Sequence, residues 1–317
     1  MKECVRCRAW GSADRGILWI PLEGPGCVYR CWLGLPVLLL ALQWRCDALS
    51  SKKPQALTGV VHVDASVYHR SIAIGAARGC VSVRPGDGNA LEATIRVSDF
   101  SHLSAIVARP RRVFDLAADP LAIGEHLKGD SLLAGLVTAR PGIRVAGPWD
   151  GFERAVRTVL CWQCTDSSAQ TGAALVAALG EPCRDSGAAG ITRQFPDPAQ
   201  VSASPLDRLG ISVAQRRAIA AIARMAVVDP HAFDAGDSLE EGVQRLTERA
   251  GVDEPLAHEI ALRLWRETDV FAHQDEAVLR AVAGCIASVG ELIERAEAWR
   301  PWRAYAANQL RAAMPSR

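Results

Sequence analysis

Lysine is nearly missing from this chain: of its 36 Lys and Arg residues, Lys stands only at positions 2, 52, 53 and 128. Chemistry that runs through a lysine amine, such as Schiff-base formation, therefore has few places to start. Net charge is missing as well. At +1 over 317 residues, nothing draws the whole molecule to a polyanion, so any nucleic-acid binding must come from one local face. No apolar run is long enough for a bilayer. The most apolar stretch, residues 32–44 (WLGLPVLLLALQW), holds thirteen residues between Arg30 and Arg45. At ~1.5 Å per residue it falls short of a ~30 Å hydrocarbon core. It begins too far into the chain for a secretory signal, and no small-x-small cleavage site follows it cleanly, so it reads as a buried first helix. What remains, 49% apolar and 22% charged residues, is ordinary for a folded chain of two or three packed units.

Ten cysteines are present but unevenly placed, with Cys4, Cys7, Cys27, Cys31 and Cys46 crowded at the start. A disulfide-stapled secreted fold is short and evenly laced, so the thiols read as reduced and the chain as cytoplasmic. Cys4, Cys7, Cys27 and Cys31 have the number for a four-thiolate zinc site. The reading adopted is a leader with incidental thiols and no metal. Cys161 and Cys164 form a C-x-x-C pair, but no thioredoxin-like strand precedes them, so they read as free thiols.

Past a polar break at 50–55 the periodicity changes to two. Val60–Val63, Ser71–Ile74, Cys80–Val83 and Leu91–Val97 read as strands, separated by turn-forming residues at 75–79 and 85–89, and make a small antiparallel sheet. A helix at about 101–109 is expected to cover its apolar face. From Asp119-Pro120, a cap residue with Pro in the first turn, the chain reads helical almost to its end. Segments 121–139, 151–162, 171–180, 212–226, 239–249, 257–266, 276–284, 290–299 and 303–313 suit helices. The organisation expected is a divergent leader at 1–50, a sheet domain at 51–116 and a helical domain at 117–317. The fold class is α+β.

Residues 250–275 (AGVDEPLAHEIALRLWRETDVFAHQD) give a Gly-containing turn, a helix of about three turns, a short break and an acid. Gly251, Val252, Ala257, Ala261-Leu262-Arg263, Asp269, Phe271 and Asp275 fall without a gap on the pattern of AlkA-type 3-methyladenine-DNA glycosylases, and the segment resembles theirs. Further phrases share the likeness: Tyr68-His69-Arg70-Ser71, Arg112-Val113-Phe114-Asp115-Leu116, Pro148-Trp149-Asp150-Gly151-Phe152-Glu153, and Trp299-Arg300-Pro301-Trp302-Arg303-Ala304-Tyr305-Ala306. The likeness covers roughly residues 55–313. It implies a two-lobed, all-helical helix-hairpin-helix glycosylase body after the sheet domain.

The resemblance carries roles onto particular positions. Asp275 matches the catalytic carboxylate that supports a developing sugar cation when an alkylated base leaves, and its other reading is an N-cap for the helix behind it. Gly251, Val252 and Asp253 match the hairpin that grips a DNA phosphate, and Gln163 stands where the family wedges a side chain into the gap left by the flipped base. Trp299, Trp302, Tyr305 and Arg311 fall at or near the base pocket, although a three-residue spacing of aromatics equally suits a core stripe. No cofactor is implied, the partner is damaged duplex DNA, and the chain is expected to act as a monomer without lyase activity.

Departures from the pattern bear on function. The second hairpin glycine is Asp253, and the Trp and Thr that follow are Pro255 and Leu256. Asp253 and Glu254 place two carboxylates where a phosphate should sit, with Arg216, Arg217 or Arg249 as candidates to compensate. Two pocket Trp positions are Pro255 and Arg311. The alternative implied is a catalytically impaired relative with weak or no DNA binding.

Overall fold

The structure, a computed structural model, describes residues 19–22, 27–34, 56–64, 67–86, 90–162, 168–183, 187–188, 190–234, 238–265, 268–271 and 273–314. Its first layer is an antiparallel sheet in the order β1-β2-β6-β5-β4-β3. The strands are β1 (Trp19–Leu22), β2 (Cys27–Gly34), β3 (Val61–Val63), β4 (Tyr68–Ile74), β5 (Ala77–Pro85) and β6 (Ala90–Val97). The four segments expected from alternation are β3 to β6. The break expected over 75–79 narrows to a two-residue turn at Gly75-Ala76, and Gly79 lies inside β5. A Cβ on Gly79 would sit 1.9 Å from the Arg96 carbonyl oxygen, so this pair of strands requires glycine there.

Two strands come from the leader. β2 runs the full length of β6, from Cys27 opposite Val97 to Gly34 opposite Ala90, and β1 pairs outside it. This corrects the helix expected from residue 32, because Trp32–Gly34 complete a strand. Gly34 and Pro36 are the two residues least suited to a helix interior, at ~1 and ~3 kcal/mol against Ala. The rest of that run, together with Cys4 and Cys7, lies outside the described residues. Cys27 and Cys31 fall on β2.

Helix α1 (Leu103–Val113) buries Ile106, Val107 and Val113 on the sheet, with Ile72, Val81, Leu91 and Ile95 beneath, closing the first core. The segment expected as one helix over 121–139 is two, α2 (Pro120–Leu127) and α3 (Ser131–Ala139). Each has its own aspartate cap: Asp119 accepts from the Leu121 N–H, and Asp130 accepts from the Leu132 N–H at 2.7 Å.

The remaining helices build two lobes with separate cores. One holds α4 (Gly151–Cys161), α5 (Ser168–Leu179), α6 (Pro198–Ala203), α7 (Val213–Val228), α8 (Leu239–Ala250) and α9 (Glu254–Leu264), packed around Val156, Val159, Ile219, Ile222 and Ile260. The other joins α2 and α3 to α10 (Glu276–Val282), α11 (Val289–Ala296) and α12 (Arg303–Ala313) around Leu133, Val278, Leu292, Trp299 and Leu310. Sheet and first lobe are joined by a buried ion pair between Arg70 on β4 and Glu153 on α4, with Arg157 also on Glu153.

Candidate active site

A cleft of about 1170 Å³ opens between the two lobes. Arg154 on α4, Leu239 and Glu240 on α8, and His258, Glu259, Leu262 and Arg263 on α9 line one wall. Opposite stand Asp269 to Phe271, His273 to Asp275, and Arg300, Arg303, Asn308 and Arg311. Among these lining residues Phe271 carries the one carbocyclic ring, and five are arginines.

Asp275 lines this cleft and caps a helix at once. Its Oδ1 accepts from the Val278 N–H at 3.0 Å, which fixes the carboxylate at the start of α10. Its Oδ2 is held by Arg311, at 3.1 Å from Nε and 3.0 Å from Nη2. Burial pushes this carboxyl up, and the Val278 N–H and the Arg311 guanidinium outweigh it, holding Asp275 below the usual carboxylate range. Arg311 donates from Nη1 to Asn308 Oδ1 at 2.8 Å, and Asn308 donates in turn to the Arg144 carbonyl. Its neighbour Gln309 is buried and donates to the Arg140 carbonyl. The polar residues near the end of α12 therefore have partners in the loop after α3.

The aromatic stripe turns away from the cleft, which corrects the pocket assignment of three residues. Trp299 is 1% exposed, and its indole N–H donates to Asp130 Oδ2 at 2.8 Å. Tyr305 is 2% exposed, and its hydroxyl donates to Asp115 Oδ2 at 2.8 Å. Trp302 packs edge-on against His126. Trp299 and Tyr305 belong to the second lobe's core, where each buried polar tip has found an acceptor, and Trp302 packs half-buried against that core. Of the four residues expected at the pocket, Arg311 alone reaches the cleft.

The hairpin lies at one end of α9. Gly251 terminates α8 in the left-handed region (φ 59°), its N–H bonded to the Thr247 carbonyl, and Val252 is buried. Asp253 occupies the N-cap position of α9 but makes no side-chain cap hydrogen bond. Pro255 follows in the first turn and has no N–H to offer a phosphate. Of the arginines expected to compensate, Arg249 pairs with Asp229. Arg216 and Arg217 stand near the start of α7. Gln163 lies outside the described residues, and Cys161 is exposed at the end of α4.

Arg154 gave no signal in the sequence. It faces the cleft from α4, where burial and the neighbouring Arg157 press its guanidinium down to about 10. Only the fold could reveal it, because α4 has the ordinary pattern of a half-buried helix.

A small antiparallel sheet, two helical lobes, a hairpin before α9 and a carboxylate at the interlobe cleft define the helix-hairpin-helix glycosylase fold. The same fold is found in the 3-methyladenine DNA-glycosylase from Archaeoglobus fulgidus, with a TM-score of 0.70 over 89% of this chain and 97% of that one at 19% identity. Residues 51–150 match the family model for the AlkA N-terminal domain. The probable bifunctional transcriptional activator/DNA repair enzyme AlkA of Mycobacterium tuberculosis is 33% identical over 258 residues, 80% of this chain and 52% of that protein. DNA-3-methyladenine glycosylase 2 of Escherichia coli is 28% identical over 259 residues, 80% of this chain and 87% of that one. The chain thus spans about half the length of the mycobacterial relative. The chain is similar in sequence to AlkA proteins over about 80% of its length, its residues 51–150 match the AlkA N-terminal domain, and its helical body has the helix-hairpin-helix glycosylase fold.

Proposed function

We propose that this chain is a monofunctional DNA N-glycosylase of base-excision repair that removes alkylated bases from duplex DNA. The observation that carries the reading is Asp275, an ionised carboxylate fixed on a helix start at the wall of a cleft with room for an extruded nucleotide. In the reaction the C1′–N bond breaks and its electron pair leaves with the base. The sugar develops oxocarbenium character, which a fixed negative charge stabilises, and water then adds at C1′ and gives up a proton to solvent. Names of the relatives support alkylated bases as the substrate class. Among the described residues no lysine lines the cleft, which supports hydrolysis without strand cleavage, since Schiff-base chemistry needs an amine at C1′. The proposed partner is damaged duplex DNA, and the proposed setting a monomer in the cytoplasm.

Two features favour a second reading, a relative with impaired catalysis. Both Asp275 oxygens are engaged, and carboxylates occupy the hairpin. Duplex oligonucleotides carrying a single 7-methylguanine or a single 1,N6-ethenoadenine separate the two. Release of either base by the purified protein, lost in Asp275→Asn, supports the glycosylase. Duplex binding without release of any base overturns it in favour of the impaired relative.

A further inference from the structure

We infer that Arg311 is a specificity-determining residue which selects damaged bases that are uncharged and carry a hydrogen-bond acceptor over bases that carry a positive charge. The inference rests on the glycosylase reading and names the charge class of the base taken by that same site.

Three observations on the cleft carry it. First, its lining offers poor holding for a cation. A cationic base is best held between aromatic faces, yet among the described residues the cleft presents five arginines and one phenylalanine ring, and that ring is packed edge-on against the buried Trp299. Second, the guanidinium nearest the reacting position is the one on Asp275. Arg300 and Arg303 are tied to Asp269 and Glu297, and Arg263 to Glu259, whereas Arg311 holds the carboxylate that has to face the sugar. Third, that contact is half open: the Arg311 side chain is 37% exposed and that of Asp275 29%. The pair can therefore be rearranged by an incoming nucleotide without opening a core.

The two classes of base meet this arrangement differently. A cationic base leaves as a neutral molecule, so it gains nothing from a guanidinium in the transition state and is repelled by it in the ground state. An uncharged base builds negative charge as the C1′–N electron pair moves onto it. A guanidinium donating to its acceptor edge stabilises that charge as it develops, and because Arg keeps its proton, the base takes its final proton from water. The same hydrogen bond draws Arg311 off Asp275, freeing Oδ2 to face the sugar cation. Binding of the correct base thus unmasks the carboxylate that its departure needs. A base with no use for Arg311 leaves the ion pair closed.

The test compares release of 1,N6-ethenoadenine, an uncharged alkylation product with ring-nitrogen acceptors, against release of cationic 7-methylguanine. Both are measured as kcat/KM in the parent, Arg311→Ala and Arg311→Lys proteins. Taking the ratio of the two rates within each protein and comparing it between proteins cancels the different leaving abilities of the bases. Arg311→Ala is expected to shift the ratio toward 7-methylguanine by about tenfold or more, the scale of removing one charge a few ångströms away. Arg311→Lys is expected to restore part of it. Equal losses on both bases, or an unchanged ratio, overturn the inference and leave Arg311 a purely structural partner of Asp275. If Arg311→Ala melts far below the parent, Arg311→Gln replaces it in the same comparison. Duplex binding with no release of either base by any of the proteins overturns the glycosylase reading itself and this inference with it, an outcome distinct from an unchanged ratio.

Discussion

Two arginine–carboxylate pairs each join distant segments of this chain, and their surroundings make them different devices. Arg70 and Glu153 meet where the sheet touches the first lobe, with side chains 5% and 6% exposed. Arg311 and Asp275 meet at the cleft, 37% and 29% exposed. In the first pair water is excluded from both partners, so neither can lose the other without stranding a buried charge. Water or a ligand can replace either partner of the second at modest cost, so the pair can open during a reaction. The same two kinds of side chain thus act as a clamp in one place and as a movable contact in the other, and burial is what separates the roles.

Breaking the clamp is expected to give the largest effect. Glu153→Gln leaves Arg70 and Arg157 without their carboxylate and is expected to cost about 3–5 kcal/mol of stability, read from chemical denaturation. A loss below ~1 kcal/mol would show that solvent reaches this junction after all. The pH dependence has a definite sign. Burial pushes the Glu153 carboxyl up, and Arg70 and Arg157 outweigh it, so its value in the fold is lowered. Its contribution is then complete above the unfolded glutamate value of ~4.3 and is lost as pH falls through the lower folded value.

Breaking the cleft pair is expected to change rate more than stability. Asp275→Asn keeps a side-chain oxygen for the Val278 N–H and Asn is a good N-cap, so the melting temperature should move little. Base release should fall by about 10²–10³-fold, as when a charge-stabilising group is removed from an active site. Similar release by both proteins would sink the catalytic role of Asp275.

A smaller effect sharpens the contrast between the pairs. Arg311 is one of the groups holding the Asp275 carboxyl below its usual range, against burial. In Arg311→Gln that carboxyl is expected to rise, so the acid limb of the base-release profile moves to higher pH. An unmoved limb would mean that the guanidinium does not hold the carboxylate in solution.

How much of this was legible in the sequence follows the same division between local pattern and tertiary pairing. Strands β3 to β6 alternate in hydrophobicity, and most helices carry their caps and periodicity in their own residues, so both could be read directly. The stripe Trp299, Trp302, Tyr305 shows that one side of a helical segment is apolar but not what it meets. Only the acceptors Asp130 and Asp115, more than 160 residues earlier, turn that stripe inward. β2 was hidden because an apolar run of its length suits strand and helix alike, and pairing with β6 decided it. The ion pair at Asp275 was hidden for a similar reason: position 311 follows 275 by 36 residues, and nothing in the residues between states that they meet.

The smallest effect belongs to the hairpin, where two terms compete. Asp253 puts a carboxylate beside the helix start that would approach a phosphate, and Glu254 adds a second. Reverting Asp253→Gly removes one of these charges and returns backbone access. Asp253 stands at an N-cap position but makes no side-chain cap hydrogen bond, and even a working cap loses only a few tenths of a kcal/mol on replacement by Gly. The backbone at Asp253 is extended, a region open to any residue, so what remains is the greater freedom of glycine in the unfolded chain, again below ~1 kcal/mol. Removal of one like charge next to a polyanion is favourable and is screened by salt. Duplex binding should therefore tighten severalfold at low salt, with the gain shrinking as salt rises and the melting temperature nearly unchanged. Titration of labelled duplex at two salt concentrations decides it. Equal affinity of parent and variant at both would mean that this hairpin does not touch DNA, leaving Arg216, Arg217 and the cleft arginines to hold the backbone.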